Sequence, residues 1–545
     1  MRTYWRSIML PVCTTPERKA KEKLISNLFE RLSRKPKSFY FGISPLALAA
    51  CGGGGSGSTS STESVTSQAN AADNFNFTQQ FKSSVGTEVP DYKVFTEGSL
   101  DVAFSNEAYS LKLVRSTGDY NNDGYDDVLV GYGDTMVEPI VLISDGNGKF
   151  TNSMPIQGDG DPRTIRNAST IDIDNDGDLD IVAFTAPHGM KRSILGDEWD
   201  GTENDIIFYN ENGVYFNAVP IAIETYNHGG AVGDLNGDGI CDITSISEWP
   251  LGTTPESPET EYRGILNPDA AGNYIRTSNL LPDIFDGLVI PDVRIGDING
   301  DGIDDIVIAT SPSYKNVNTP AEATAVGSFK VGISNGTLNL DQYDWTTYGT
   351  HPMSQDDWDT FSATFDEDAG TELYDGVEAM AGVSNIELVD LNDDGQLDII
   401  VGHYVQKYSS WIISDFTVFI NENGIMVDRT TELFPDQSSN ESFTEPTSSM
   451  WSIFEADINV DGLDDIVIQV KSMDTRSQFD GLKSHTFYIN EGTHYAPVSR
   501  ANLPDGFKKG LNEVRPLDLN GDNSIDLISL YDDAVITHLN NEFIA

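Results

Sequence analysis

Side-chain oxygens at alternate positions, closed by a glycine, recur seven times along this chain. The frame is D-x-[DN]-x-D-G-x-x-D, and its positions 1, 3, 5 and 9 carry carboxylates or amides while position 7 can offer its backbone carbonyl. In the first copy these five are Asp119, Asn121, Asp123, Tyr125 and Asp127. The second holds Asp172, Asp174, Asp176, Asp178 and Asp180, and the third Asp234, Asn236, Asp238, Ile240 and Asp242. The fourth holds Asp297, Asn299, Asp301, Ile303 and Asp305; the fifth, Asp390, Asn392, Asp394, Gln396 and Asp398. The last two hold Asp457, Asn459, Asp461, Leu463 and Asp465, then Asp518, Asn520, Asp522, Ser524 and Asp526. Several hard oxygens on one tight loop are what Ca²⁺ requires, so about seven ions are expected. Position 6 is glycine except for Asn523. A loop that folds back on an ion needs a left-handed residue there, and asparagine is the next best choice.

These loops are not EF-hands, which end in a bidentate Glu at position 12 and lie between helices. Position 12 of the first copy is Val130, and each loop runs into a short β-branched stretch such as Ile306-Val307-Ile308 or Ile399-Ile400-Val401. Such stretches read as buried strands. Further along come alternating apolar runs ending in Asn-Gly or Asp-Gly turns, as in Val418-Phe419-Ile420-Asn421-Glu422-Asn423-Gly424. Those are β-hairpin signals. Each unit therefore reads as strand, metal loop, strand, connector, strand, turn, strand. Tandem four-stranded units point to an all-β, seven-bladed β-propeller of antiparallel blades with a calcium loop in each, an architecture that leaves only short, protected sheet edges.

With those loops and hairpins, the chain resembles the FG-GAP (integrin-alpha-like, also called VCBS-like) repeats over roughly residues 83–545. The resemblance implies calcium loops on a seven-bladed propeller. For function it implies a range: adhesion receptors, lectin-like surface proteins and some polysaccharide lyases share the fold, and a fold does not fix an activity.

The chain carries 33 basic against 86 acidic residues, a formal net charge of −53. A field of that sign excludes nucleic acid and anionic lipid surfaces as natural partners. At the N-terminus, Arg31, Arg34, Lys35 and Lys37 precede an uncharged run from Ser38 to Ala50. That run is too short to span a bilayer and has the form of a signal-peptide core. It ends Leu48-Ala49-Ala50-Cys51, which resembles the bacterial lipobox; residues 1–51 then form a signal peptide with an unusually long basic region, and translation from Met9 would shorten it. The resemblance implies lipidation of Cys51 and, with Gly52 following, an outer-membrane or cell-surface location. Ordinary secretion, with cleavage after Ala49, is the alternative. Residues 52–82 are rich in Gly, Ser and Thr and read as a flexible tether. The lipid is then the sole membrane attachment of a monomeric propeller.

Strand alternation puts all metal loops on one face and the remaining connectors on the other. Loops on a rigid scaffold are where binding residues gather. Trp199, Trp249, Trp345, Trp358, Trp411 and Trp451 are expected in those connectors, and residues 341–384 read as an insertion between the fourth and fifth units. Amphipathic aromatics suit sugar rings or a protein partner. One reading is therefore a non-catalytic surface module that binds a glycan or surface protein. The other is a lyase on uronic-acid chains, in which a Tyr or His takes the C5 proton beside a cation. Its candidates are His403, Tyr404 and Lys407, or His188 with Lys191 and Arg192. No nucleophile elbow, phosphate loop or zinc pattern is present.

Overall fold

The computed structural model describes residues 78–84, 112–132, 139–147, 150–158, 165–185, 203–225, 227, 229–246, 262–286, 288–312, 328–349, 379–407, 411–435, 448–459, 461–472, 485–498, 513–521, 525–530 and 534–539. The apolar stretch after each loop forms the second strand of a sheet. Two of these, Asp180–Thr185 and Asp242–Ile246, are buried along their whole length. A strand in mid-sheet, with other sheets against both faces, cannot alternate with water, which is why these stretches read as continuous Val/Ile/Leu runs rather than as a period of two.

The described strands pair into seven sheets. The first is Lys112–Gly118, Asp127–Tyr132, Ile140–Ser144 and Phe150–Met154; the second is Ile165–Ile171, Asp180–Thr185, Glu203–Asn210 and Phe216–Thr225. The third holds Gly229–Gly233, Asp242–Ile246, Arg263–Pro268 and Tyr274–Leu280; the fourth, Val293–Gly296, Asp305–Pro312, Ser328–Ile333 and Asp344–Gly349. The fifth holds Ala379–Val389, Asp398–Lys407, Trp411–Asn421 and Met426–Asp428, and the sixth Ser448–Ala456, Asp465–Ser472, His485–Asn490 and Tyr495–Pro497. The seventh is composite. Glu513–Leu517, Asp526–Leu530 and Ala534–Leu539 come from the C-terminus, and its outer strand is Thr78–Ser84 from the N-terminus, antiparallel to Ala534–Leu539.

The arrangement is an all-β propeller of antiparallel sheets. The first strand of each sheet lies beside the first strand of the next, and Glu513–Leu517 returns to Lys112–Gly118. An apolar cluster fills each junction. Val114, Val130 and Leu142 meet Leu519 and Ile528 at the closing junction, and Ile400, Phe416 and Val418 meet Ile466 and Tyr488 between the fifth and sixth sheets. No sheet has a core of its own, so each is stable only against its neighbours.

Three expectations are corrected. The first strand begins at Thr78, inside the segment read as tether, because pairing with an open sheet edge uses backbone groups. The units are not uniformly four-stranded. Ile156–Gly158 adds a fifth strand to the second sheet, parallel to Phe216–Thr225, and Leu288–Val289 adds one to the fourth. The stretch 341–384 is not wholly an insertion, since Asp344–Gly349 is the outer strand of the fourth sheet.

Candidate metal loops

Every loop of the D-x-[DN]-x-D frame joins the first and second strands of a sheet, so the sheets present them at one end of the ring. In the first six the wiring is the same. The position-1 carboxylate accepts the N–H of position 5 through Oδ1, at 2.9–3.0 Å, and that of the position-6 glycine through Oδ2, at 2.8–3.1 Å. Position 3 accepts the position-5 N–H, and the position-5 carboxylate accepts the N–H of position 7. Gly124, Gly177, Gly239, Gly302, Gly395 and Gly462 all take positive φ, between 85° and 105°, as the tight return requires. In the seventh loop, Asp522, Asn523 and Ser524 lie outside the described residues.

Position 4 was not singled out by the sequence, yet it is also left-handed: φ is 58° at Asn122, 60° at Asn175 and 61° at Asp393, with Gly237, Gly300 and Gly521 in the remaining described loops. The signal was there in the Asn, Asp or Gly that fills this position in six of the seven copies; the sixth has Val460, which lies outside the described residues.

The carboxylates are crowded. Ligand oxygens of Asp172, Asp174 and Asp176 lie within 4.8 Å of one another. Burial, and then the charge of Asp176, push the Asp174 carboxyl above its usual range. The position-9 carboxylates are the most deeply placed, at 0–1 % exposed in every loop. Burial first, with neighbouring loop carboxylates adding to it, raises Asp127, Asp242 and Asp465 to about 8 and Asp180, Asp305 and Asp398 to about 7. Anionic oxygens gathered this closely repel each other until a cation sits among them. All are hard oxygen donors without a nitrogen or sulfur, a set that fits an alkaline-earth cation.

Position 9 also has a second task. In all seven loops its Oδ2 accepts the N–H of position 2, at 2.9–3.2 Å. Its Oδ1 accepts the N–H of a residue at the end of the third strand: Ser144, Asn210, Asn421 or Asn490 as the last residue, or Ser334 just beyond it. The sequence pointed to these residues only as turn formers.

Trp199, Trp249, Trp358 and His188, with Lys191 and Arg192, lie outside the described residues, as do Cys51 and the segment before it. Trp345 is not in a connector: it packs edge-on to Phe285 at 4.9 Å and donates its indole N–H to the Leu340 carbonyl. Trp411 starts the third strand of the fifth sheet, and Trp451 lies on the first strand of the sixth at a β-bulge. His403, Tyr404 and Lys407 are on the second strand of the fifth sheet rather than in its connector. His403 Nε2 lies 3.1 Å from Thr417 Oγ1.

The FG-GAP-like repeat family matches residues 119–183, which span the first metal loop, the rest of the first sheet, and the second loop with the start of its following strand. No curated protein matches the chain. The repeat match and the propeller arrangement together support an FG-GAP/VCBS-like propeller.

Proposed function

We propose that this FG-GAP-like propeller is a calcium-binding recognition module, each of its seven sheets one blade and each loop one ion site, held at the cell surface by a lipid on Cys51. The observation that carries the calcium reading is the shared wiring of the loops. In each described loop, backbone N–H groups hold the carboxylates of positions 1 and 5, and a buried carboxylate closes the loop at position 9. FG-GAP-type repeats often bind calcium, which agrees. Positions 1, 3, 5 and 9 would hold the ion with the position-7 carbonyl. The cation would neutralise the crowded charge and fix the loop, stiffening the face from which the sheets are joined.

Recognition is favoured over catalysis on chemical grounds. FG-GAP propellers serve adhesion and recognition in general, and the sequence between the described strands still holds Trp199, Trp249 and Trp358 in long segments, where binding residues gather. The partner class is a glycan or a surface protein, met by the connector face, with an outer-membrane lipoprotein as the location and a secreted protein as the alternative. A uronate lyase needs a base at the C5 proton and a cation at the adjoining carboxylate. Of its candidates, His403 has its ring Nε2 3.1 Å from Thr417 Oγ1.

A glycan array probed with residues 76–545, run beside an ultraviolet assay for new unsaturation on uronate polysaccharides, tests the choice. Binding without unsaturation supports recognition. A rise in ultraviolet absorbance replaces it with the lyase.

A further inference from the structure

The loops are joined to one another through a recurring three-part contact. Take the junction of the fourth and fifth sheets. Asp398, position 9 of the fifth loop, accepts the N–H of Asn421 through Oδ1 at 2.8 Å. The Asn421 amide then donates to the carbonyl of Ile298, position 2 of the fourth loop, at 2.6 Å. The N–H of that same Ile298 is held by Asp305, position 9 of the fourth loop, at 3.0 Å. One loop's closing carboxylate is thereby linked to the neighbouring loop's closing carboxylate through a strand-end side chain and a peptide group lying between two ligand positions.

The contact recurs with changed residues. Asn210 of the second sheet reaches the Tyr120 carbonyl at 2.8 Å, and Ser334 of the fourth reaches that of Leu235 at 2.6 Å. Ser144 of the first sheet reaches the Leu519 carbonyl of the last loop at 2.9 Å, across the closure of the ring. In the sixth sheet the Tyr495 hydroxyl, itself bonded to Asn490, takes the Leu391 carbonyl at 3.1 Å. The junction of the second and third sheets differs. There Pro268 holds the corresponding strand end and has no donor to offer; the Asn267 amide before it bonds Asp242 of its own loop, and among the described residues no side chain reaches the carbonyl of Ile173.

We propose that metal occupancy is coupled between neighbouring loops through these strand-end side chains, and that the coupling is interrupted between the second and third sheets. The inference rests on the calcium reading above. Closing a metal loop orders several residues at a conformational-entropy cost. A neighbour whose position-2 peptide is already pinned has less left to order, so its ion binds more tightly, and the effect is reciprocal. Loops 1 and 2 would gain from each other, as would loops 3 and 4; loops 2 and 3 would not.

Backbone hydrogen exchange, followed loop by loop with and without calcium, reads this directly. Asp176→Ala removes a ligand of loop 2 that takes no part in the relay, and Asp238→Ala does the same in loop 3. The first should reduce calcium-induced protection in loops 2 and 1 and leave loop 3 as it was. The second should reduce it in loops 3 and 4 and spare loop 2. Protection lost equally across the second–third junction, or confined to the altered loop, overturns the coupling while leaving the metal reading intact. Calcium that protects no loop of the unaltered protein removes the metal reading and this inference with it.

A second pair of variants guards against simple misfolding. Serine already does the work of Asn421 in the first and fourth sheets, where its Oγ also accepts the N–H two residues on. Asn421→Ser should keep the fourth loop's calcium affinity within twofold. Asn421→Ala should lower it by about fivefold or more, the lower bound of ordinary coupling between sites. Serine and alanine variants that behave alike would overturn the relay.

Discussion

The carboxylate of Asp126 accepts the backbone N–H of Asp518 at 2.9 Å, and the Asp126 N–H returns to the Asp518 carbonyl at 3.0 Å. Position 8 of the first loop thus clasps position 1 of the last, 392 residues away in sequence. The same clasp appears inside the ring, where Asp304 of the fourth loop holds Asp234 of the third through the equivalent pair of bonds, at 2.8 and 3.1 Å. The closure therefore uses the contact that joins internal sheets, and the chain ends need no special device on this face.

Asp126→Ala should lower stability by about 1–3 kcal/mol, the range for losing a hydrogen bond to a charged group. Asp304→Ala should cost a similar amount. Thermal melts of both, in calcium, check the pair. An Asp126 variant that melts as the parent does would mean the ring is held shut elsewhere.

The second closure is the N-terminal strand. A chain starting at residue 76 keeps Thr78–Ser84 on the edge of Ala534–Leu539, and one starting at residue 85 loses it. The shorter chain exposes an unpaired sheet edge and should melt earlier and associate in solution. Size-exclusion chromatography and melting curves of the two chains separate the outcomes.

The Tyr125 ring covers two glycines of different sheets. A methyl group on Gly146 would stand 2.4 Å from the ring, and one on Gly521 would stand 2.8 Å from it. Both glycines also take positive φ, 66° and 70°. Gly146→Ala should therefore cost more than Gly124→Ala, which meets strain at φ 93° but open space. Pairing Gly146→Ala with Tyr125→Ala should return the part of the loss that comes from collision, a non-additivity of at least about 0.5 kcal/mol in a double-mutant cycle.

Trp345 separates core from ligand face. It joins the apolar cluster of Phe285, Leu340 and Tyr343 and bonds Leu340 through its indole. Trp345→Ala should destabilise the protein by about 2–4 kcal/mol, below the full range for a buried aromatic because the ring is only partly covered. Glycan or protein binding measured at a temperature where the variant is folded should be unchanged.

The acidic loops were the most legible feature because their oxygen side chains recur at fixed spacing. The structure folds Asp119, Asp123 and Asp127 into one loop through backbone N–H groups. Positions 2 and 8 were illegible for the opposite reason. Tyr120, Ile298 and Leu391 look like ordinary core, and nothing in a side chain announces that its peptide carbonyl is gripped by the next sheet. Asn210 and Asn421 were visible only as turn residues, since one amide serves both the turn and the relay. The tryptophans misled because an aromatic beside Asp and Thr reads equally as connector or as strand. Trp345, Trp411 and Trp451 are on strands, where pairing partners rather than composition decide.

Whether the loops are calcium sites is decided by melting the folded domain in EDTA, in calcium and in magnesium. Extracellular calcium modules bind at roughly 10⁻⁴ to 10⁻³ M, so millimolar calcium should act at several sites together. At one to ten times its dissociation constant each site contributes about 0.4–1.4 kcal/mol. Chelation should lower the melting temperature clearly, calcium should restore it, and magnesium should restore little because it demands a stricter octahedron. Asp398→Ala should also bind about one ion fewer by calorimetry. A chelated protein that melts where the calcium-loaded one does would contradict the account and leave the loops as acidic turns held by their own hydrogen bonds.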